Sequence, residues 1–159
     1  MMRKFVFGLL FFTLVAGIGS LKAQYTTGIG IRGALGPGLT LKHHLTQDHA
    51  VEIIAVGRWR GVLATGLYEV HFPALQVPNL RWYVGGGGHF GIWSQTTSTN
   101  PWFTSEGGVV IGLDVIGGIE YTLPSLPINF SLDYKPGFNL IGTAGFWADD
   151  AALSIRYVF

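Results

Sequence analysis

The last eight residues of the chain, ALSIRYVF (152–159), carry the pattern that decides the fold. Every second position is apolar or aromatic, namely Leu153, Ile155, Tyr157 and Phe159. The positions between them include a serine and an arginine. Successive side chains of a β-strand point to opposite faces, so this segment predicts a strand with one apolar face and one more polar face.

The same period of two recurs upstream. In INFSLDYK (128–135), four apolar or aromatic residues alternate with Asn129, Ser131, Asp133 and Lys135. Segments rich in Gly, Pro and polar residues separate the alternating runs, and such segments favour turns. We therefore predict eight strands joined by seven connections, of which 94–106 and 139–149 are the longest. The predicted strands span residues 25–35, 38–45, 50–59, 62–71, 80–93, 107–122, 128–138 and 150–159.

The composition excludes an ordinary soluble surface. Charged residues make up 12% of the chain, whereas an average soluble domain carries roughly 25%. Hydrophobic residues reach 48%, and there are 24 glycines. The alternation and the scarcity of charge together predict an all-β fold, an eight-stranded antiparallel transmembrane up-and-down β-barrel. The alternative is a soluble barrel or sandwich, but its outer face would then carry few charged residues for a surface in water.

The N-terminus has the features of an export signal. Met1 to Lys4 carry two positive side chains, and the segment 5–18 is almost wholly apolar. This segment is shorter than the about 20 residues of a membrane-spanning helix. Small Ala23 suits the position before a cleavage site. We therefore predict a cleaved signal peptide at 1–23 and a single barrel domain at 24–159; the alternative is an uncleaved anchor.

Most charged residues of the predicted strands fall on the less apolar face. An eight-stranded barrel is barely wide enough for its own side chains, and an unpaired buried charge is strongly destabilising. The near balance of basic and acidic residues therefore predicts an ion-paired, plugged lumen rather than an open pore. The predicted luminal network comprises Arg32, Lys42, Glu52, Arg58, Glu69, Arg81, Asp114, Glu120, Asp133, Lys135 and Arg156.

The C-terminal strand resembles the terminal signal of Gram-negative outer-membrane barrels. The chain as a whole resembles the small OmpA/OmpX-type barrel class, and WYVGGGGHFGIW (82–93), GLDVIGGIEYTLP (112–124) and INFSLDYKPGFNL (128–140) are similar to segments of uncharacterised small outer-membrane proteins. This resemblance implies a bacterial outer-membrane location. It also implies outer-membrane lipid as a partner, and the barrel assembly machinery as a partner of residues Leu153, Ile155, Tyr157 and Phe159.

With an even number of strands, both ends of the barrel lie on the periplasmic side. The connections 94–106 and 139–149 would then face outward, where they favour a structural role or adhesion and interaction with an extracellular ligand that the sequence does not identify. The chain has no basic run that would follow phosphates, so nucleic acid is not an expected partner.

A few residues could suggest a metal, phosphate or catalytic site. His43 and His44 are adjacent and would point to opposite faces of a strand, so no metal site is expected from them. The four glycines at 85–88 lack the Lys-Ser/Thr of a phosphate loop, and no cofactor is expected. A lipid A deacylase-like enzyme remains an alternative, with His89 as its base, although Ser94 falls on the opposite face. A narrow channel or an accessory of an export complex is a further alternative; we expect a non-enzymatic barrel with no catalytic residues.

Overall fold

A computed structural model describes residues 26–33, 36–58, 61–93, 108–142, 145–148 and 150–159, except for the side chain of Arg58. The predicted signal peptide and the predicted loop 94–106 lie outside the described residues. Within those ranges, no helix is long and apolar enough to cross a membrane.

The described residues form ten antiparallel β-strands in one sheet that closes on itself. Consecutive strands pair from β1 to β7, and β1 pairs with β10 to complete the ring. Strands β7 and β8 share one side of the barrel, as do β9 and β10, so the ring has eight sides. The predicted all-β, eight-stranded antiparallel up-and-down barrel is confirmed. The strands are β1 Thr27–Gly33, β2 Pro37–His44, β3 His49–Arg58, β4 Gly61–Pro73, β5 Leu80–Trp93, β6 Gly108–Thr122, β7 Ile128–Tyr134, β8 Gly137–Ile141, β9 Gly145–Trp147 and β10 Ala151–Val158.

The last residues of the chain complete the ring. The carbonyl of Phe159 accepts hydrogen bonds from the backbone amides of Thr26 and Thr27, at 3.2 and 3.0 Å, and its own amide donates to Thr27 at 2.9 Å. The two strands approach closely at Gly30, where a Cβ atom would lie 1.9 Å from the carbonyl oxygen of Ile155. Only glycine leaves room for this approach.

The predicted strand 128–138 and loop 139–149 are wrong in their bounds. Strand β7 ends at Tyr134, and after Pro136 the chain resumes as β8, which pairs with β6 on one side and β9 on the other. Because proline cannot donate a ladder hydrogen bond, Pro136 separates β7 from β8, but the chain continues in the same direction along the barrel. The carbonyl of Pro136 still accepts from the amide of Val115 at 3.0 Å. Residues 139–141 and 145–147 therefore belong to a strand hairpin.

The barrel has two distinct ends. The turn end carries the short connections 45–48, 74–79 and 123–127 together with both ends of the barrel chain. The loop end lies opposite and carries the β8–β9 hairpin. The strands alternate between buried and exposed side chains along their length, with exposed large apolar residues on the outer face. Two apolar clusters also lie inside the barrel: one contains Ile54, Leu67, Tyr83 and Ile116, and the other Trp93, Val110, Leu63 and Trp147.

Candidate functional site

The interior of the barrel contains most of the charged residues singled out from the sequence. Nine of them have relative exposures of 4% or less. Arg81 is half-buried at the turn end, and the side chain of Arg58 is outside the described part of the chain. The buried nine are Arg32, Lys42, Glu52, Glu69, Asp114, Glu120, Asp133, Lys135 and Arg156.

Lys42 lies among three carboxylates. Its Nζ atom is 2.8 Å from Glu69 Oε2, 3.1 Å from Glu52 Oε2 and 3.5 Å from Glu120 Oε2. The same ammonium lies 3.9 Å from the centroid of the Tyr83 ring, a cation–π contact. These partners come from β3, β4, β5 and β6, so a single lysine of β2 connects strands across the lumen.

Arg156 of the terminal strand is completely buried and forms a second set of contacts. Its Nη2 atom is 2.5 Å from Glu52 Oε1, its Nη1 donates to Ser131 Oγ at 2.8 Å, and its Nε donates to Thr40 Oγ1 at 3.0 Å. Glu52 therefore bridges Arg156 and Lys42. Charged groups at this depth are tolerated when they are paired and hydrogen-bonded, and removing one partner leaves an uncompensated charge.

Arg32 and Asp133 form a third contact inside the lumen, between β1 and β7, which flank β10 in the sheet. Arg32 Nη1 is 2.6 Å from Asp133 Oδ1, and Tyr83 donates its hydroxyl to Asp133 Oδ2 at 3.1 Å. Asp150 lies 3.4 Å from the same guanidinium. This set connects residues 101 positions apart in the chain.

His89 belongs to a chain of polar contacts nearer the loop end. Its Nδ1 atom is 2.7 Å from Asp114 Oδ2, and Asp114 Oδ1 is 3.0 Å from Lys135 Nζ. Its Nε2 atom is 2.9 Å from Asn139 Oδ1. Gly112 makes room for the ring, since a Cβ there would lie 2.4 Å from His89 Cε1. The Asn139 oxygen occupies the place that a serine hydroxyl takes beside a catalytic histidine, which disfavours His89 as a base.

The sequence does not single out Asn139, because the predicted loop 139–149 contains it. The available signal was the alternation that resumes after Pro136, with Phe138 and Leu140 exposed and Asn139 buried between them.

Arg81 connects the 45–48 turn with strand β4 at the turn end. Its Nη1 donates to the carbonyl of Gln47 at 2.7 Å, and its Nη2 is 2.6 Å from Asp48 Oδ1 and 3.3 Å from the carbonyl of His71. Asp48 is largely exposed, so this pair lies at the mouth of the barrel rather than in the buried network. Pairs of this kind add little to stability.

Beneath this pair lies a cluster that the sequence reasoning did not identify. His44 of β2, His71 of β4 and Glu120 of β6 are all buried, and each offers a potential ligand atom to the same small space. His43 is exposed on the outer face and hydrogen-bonds Thr27 Oγ1 through Nδ1 at 2.9 Å. The adjacent histidines therefore point to opposite faces, as predicted, but His44 meets residues of other strands. The signal was that all three lie on inward positions next to turn-end connections.

The terminal strand separates its two faces cleanly. Leu153, Ile155, Tyr157 and Phe159 are 40–56% exposed on the outside. The intervening side chains point inward, where Arg156 makes the contacts described above.

Comparison with known proteins supports the architecture. No protein-family model matches the chain, and no curated protein matches it. A similar solved structure is the N-terminal β-barrel domain of OprF from Pseudomonas aeruginosa, with a TM-score of 0.62 and 15% sequence identity. The alignment covers 84% of this chain and 95% of that domain. At this identity the likeness concerns the fold alone: the chain shares the β-barrel architecture of the OprF domain.

Proposed function

We propose that the chain is a transmembrane β-barrel of the bacterial outer membrane with a plugged, ion-paired lumen. It is exported with a signal peptide cleaved after Ala23, and its role is structural or adhesive, through the outward segment 94–106 and the β8–β9 hairpin at the loop end. Outer-membrane lipid and the barrel assembly machinery are its proposed partners. The observation that carries this proposal is that apolar side chains cover the outside of the barrel and charged side chains fill the inside, the reverse of a soluble protein.

The outer face supports a lipid environment. Leu113 and Leu132 are each 57% exposed, and Val115 is 59% exposed. These residues belong to strands β6 and β7, which are neighbours in the sheet, so they contribute to one apolar surface. Soluble monomers rarely expose contiguous apolar patches larger than a few hundred Å². A bilayer removes this surface from water, and the backbone stays satisfied because the sheet is closed.

The interior supports a lumen without a wide aqueous path. The Lys42–Glu120 pair joins opposite sides of the barrel, the Arg32–Asp133 pair also lies in the interior, and the cluster around Trp93 and Val110 adds apolar bulk. An eight-stranded barrel has about enough interior space for its own side chains. Ions would have to break buried charge pairs to pass.

Two measurements test the proposal. Fractionated cells should contain the mature protein, beginning at Gln24, in the outer membrane, and recovery in the soluble periplasm would contradict the transmembrane assignment. In planar bilayers the purified mature protein should show little or no conductance, with a wide porin as the positive control. Large, steady currents would contradict the plugged lumen while leaving the barrel itself in place.

The same cells separate this role from that of a lipid-modifying enzyme. Mass spectra of lipid A should be identical with and without the protein. Loss of an acyl chain that depends on His89 would instead establish the enzymatic alternative.

A further inference from the structure

We propose that His44, His71 and Glu120 form a binding site for a divalent transition-metal ion of the zinc class at the turn end of the lumen. The three side chains come from β2, β4 and β6 and converge inside the barrel. Their potential ligand atoms all lie within 4.8 Å of one another. Two imidazoles and one carboxylate form a donor set suited to Zn²⁺, and to Co²⁺ as its spectroscopic substitute, rather than to Mg²⁺ or Ca²⁺.

The spacing fits a shared cation. His71 Nε2 is 3.6 Å from Glu120 Oε1, which is too long for a good hydrogen bond. Ligand atoms held about 2.0–2.1 Å from a tetrahedral Zn²⁺ are about 3.4 Å apart. The His71–Glu120 pair is already near that separation, and a modest rotation of His44, whose ring centroid is 4.9 Å from that of His71, brings in the third ligand.

His71 supplies the second observation. Its side chain is 1% exposed, and neither ring nitrogen has a hydrogen-bond partner among the described residues. Buried polar atoms are normally satisfied, so an imidazole left in this state calls for an explanation. Tyr83 stacks on the ring at 5.1 Å between centroids and fixes its plane. A metal ion would satisfy the Nε2 atom, which lies 3.6 Å from both Glu120 Oε1 and Glu69 Oε2.

The surrounding charges accommodate a cation. The three carboxylates of Glu52, Glu69 and Glu120 face two cationic side chains, Lys42 and Arg156. One negative charge is therefore in excess when all five groups are ionised. Lys42 approaches Glu120 at Oε2, whereas Oε1 faces His71. The two oxygens of Glu120 are thus divided between the lysine and the proposed metal position.

The site lies beneath the mouth of the barrel at the turn end. Arg81 lies at the mouth above it, and its Nη2 atom contacts the carbonyl of His71 at 3.3 Å. Its partner Asp48 is 61% exposed on the side chain. Movement of this pair would admit an ion and a water molecule, and the water would take the fourth coordination position. In the orientation proposed above, this end faces the periplasm.

The test uses the mature barrel refolded in detergent and stripped of metal. Titration with Co²⁺ should give one equivalent of binding, with visible absorption typical of four- or five-coordinate cobalt, and Zn²⁺ should displace it. His71→Gln and Glu120→Gln should each weaken binding by at least about 100-fold, because each removes a ligand. His43→Ala and His49→Ala are the matched controls, since they change histidines of the same end that do not line the site, and their affinity should equal that of the wild type.

A second measurement does not depend on the folding of any variant. In wild-type protein, Zn²⁺ should shift the imidazole ¹⁵N resonances of two of the five histidines, His44 and His71. Absence of cobalt binding by folded wild-type protein would overturn the proposal. So would binding that survives His71→Gln, or binding lost in His43→Ala, which would place the ion on the outer surface of the 43–49 turn region.

Discussion

The outward face of β6 allows a direct test of the membrane assignment, because it carries valines at two different expected depths in the bilayer. Val109 and Val115 lie on the same strand and the same face, and they are 43% and 59% exposed. Val115 is the eighth of the fifteen residues of β6, at its centre, and Val109 is near the loop end. Six residues span about 20 Å along a strand, or about 15 Å along the membrane normal for a tilt of about 40°.

The apolar band of an outer-membrane barrel is about 25 Å tall. A side chain at the centre of β6 therefore lies near the midplane, and one about 15 Å away lies at or beyond the interface. Arginine costs about 2–4 kcal/mol at the midplane and about 0–1 kcal/mol near the interface. Val115→Arg should thus reduce the free energy of unfolding by about 2–3 kcal/mol more than Val109→Arg does.

The assay is reversible unfolding from lipid vesicles in denaturant, followed by the fluorescence of the five tryptophans. Val115→Leu is the control for a change of shape without charge and should differ from the wild type by less than about 1 kcal/mol. Equal destabilisation by the two arginines, or no destabilisation by Val115→Arg, would show that this face does not lie in lipid. Exposed apolar side chains would then not mark a lipid-facing surface in this barrel.

Three further predictions test other parts of the molecule. Glu52→Gln should destabilise the barrel by about 3–5 kcal/mol because it removes the carboxylate paired with buried Arg156 and one of the three carboxylates around Lys42. Asp48→Asn at the exposed mouth should cost about 1 kcal/mol or less; denaturant unfolding compares the two variants, and similar values would contradict a buried network. Deleting Phe159 should impair membrane insertion and leave export intact, which fractionation and signal-peptide processing measure; normal assembly would mean that the terminal residue is not required. Trp93→Ala should cost about 3–5 kcal/mol through the cavity it leaves at the loop end, and a cost below about 1 kcal/mol would indicate that this cluster is not packed.

The alternation of residue types was enough to predict the eight-stranded barrel and which residues face inward. Inward and outward positions follow from the period of two along a strand, which is a local property of the backbone. The alternation in 152–159 and 128–135 reappears in β10 and β7. The bounds of β7 and β8 were not predictable in the same way. Pro136 is compatible with two outcomes: the chain turns there, or the strand continues with one ladder hydrogen bond missing. The pairing of β8 with β6 shows that the strand continues.

The sequence by itself determined most of the strands, their two faces and the number of charges available for the interior. The tertiary structure decided which side chains meet. His44, His71 and Glu120 are far apart in the chain, as are Arg32 and Asp133, and no spacing along one strand relates them. Their proximity depends on closure of the sheet, because strand number and stagger set the width of the barrel and the level at which each residue faces its neighbours across the lumen. Alternation determines which side chains point into the barrel, but only closure of the sheet determines which other side chains they contact.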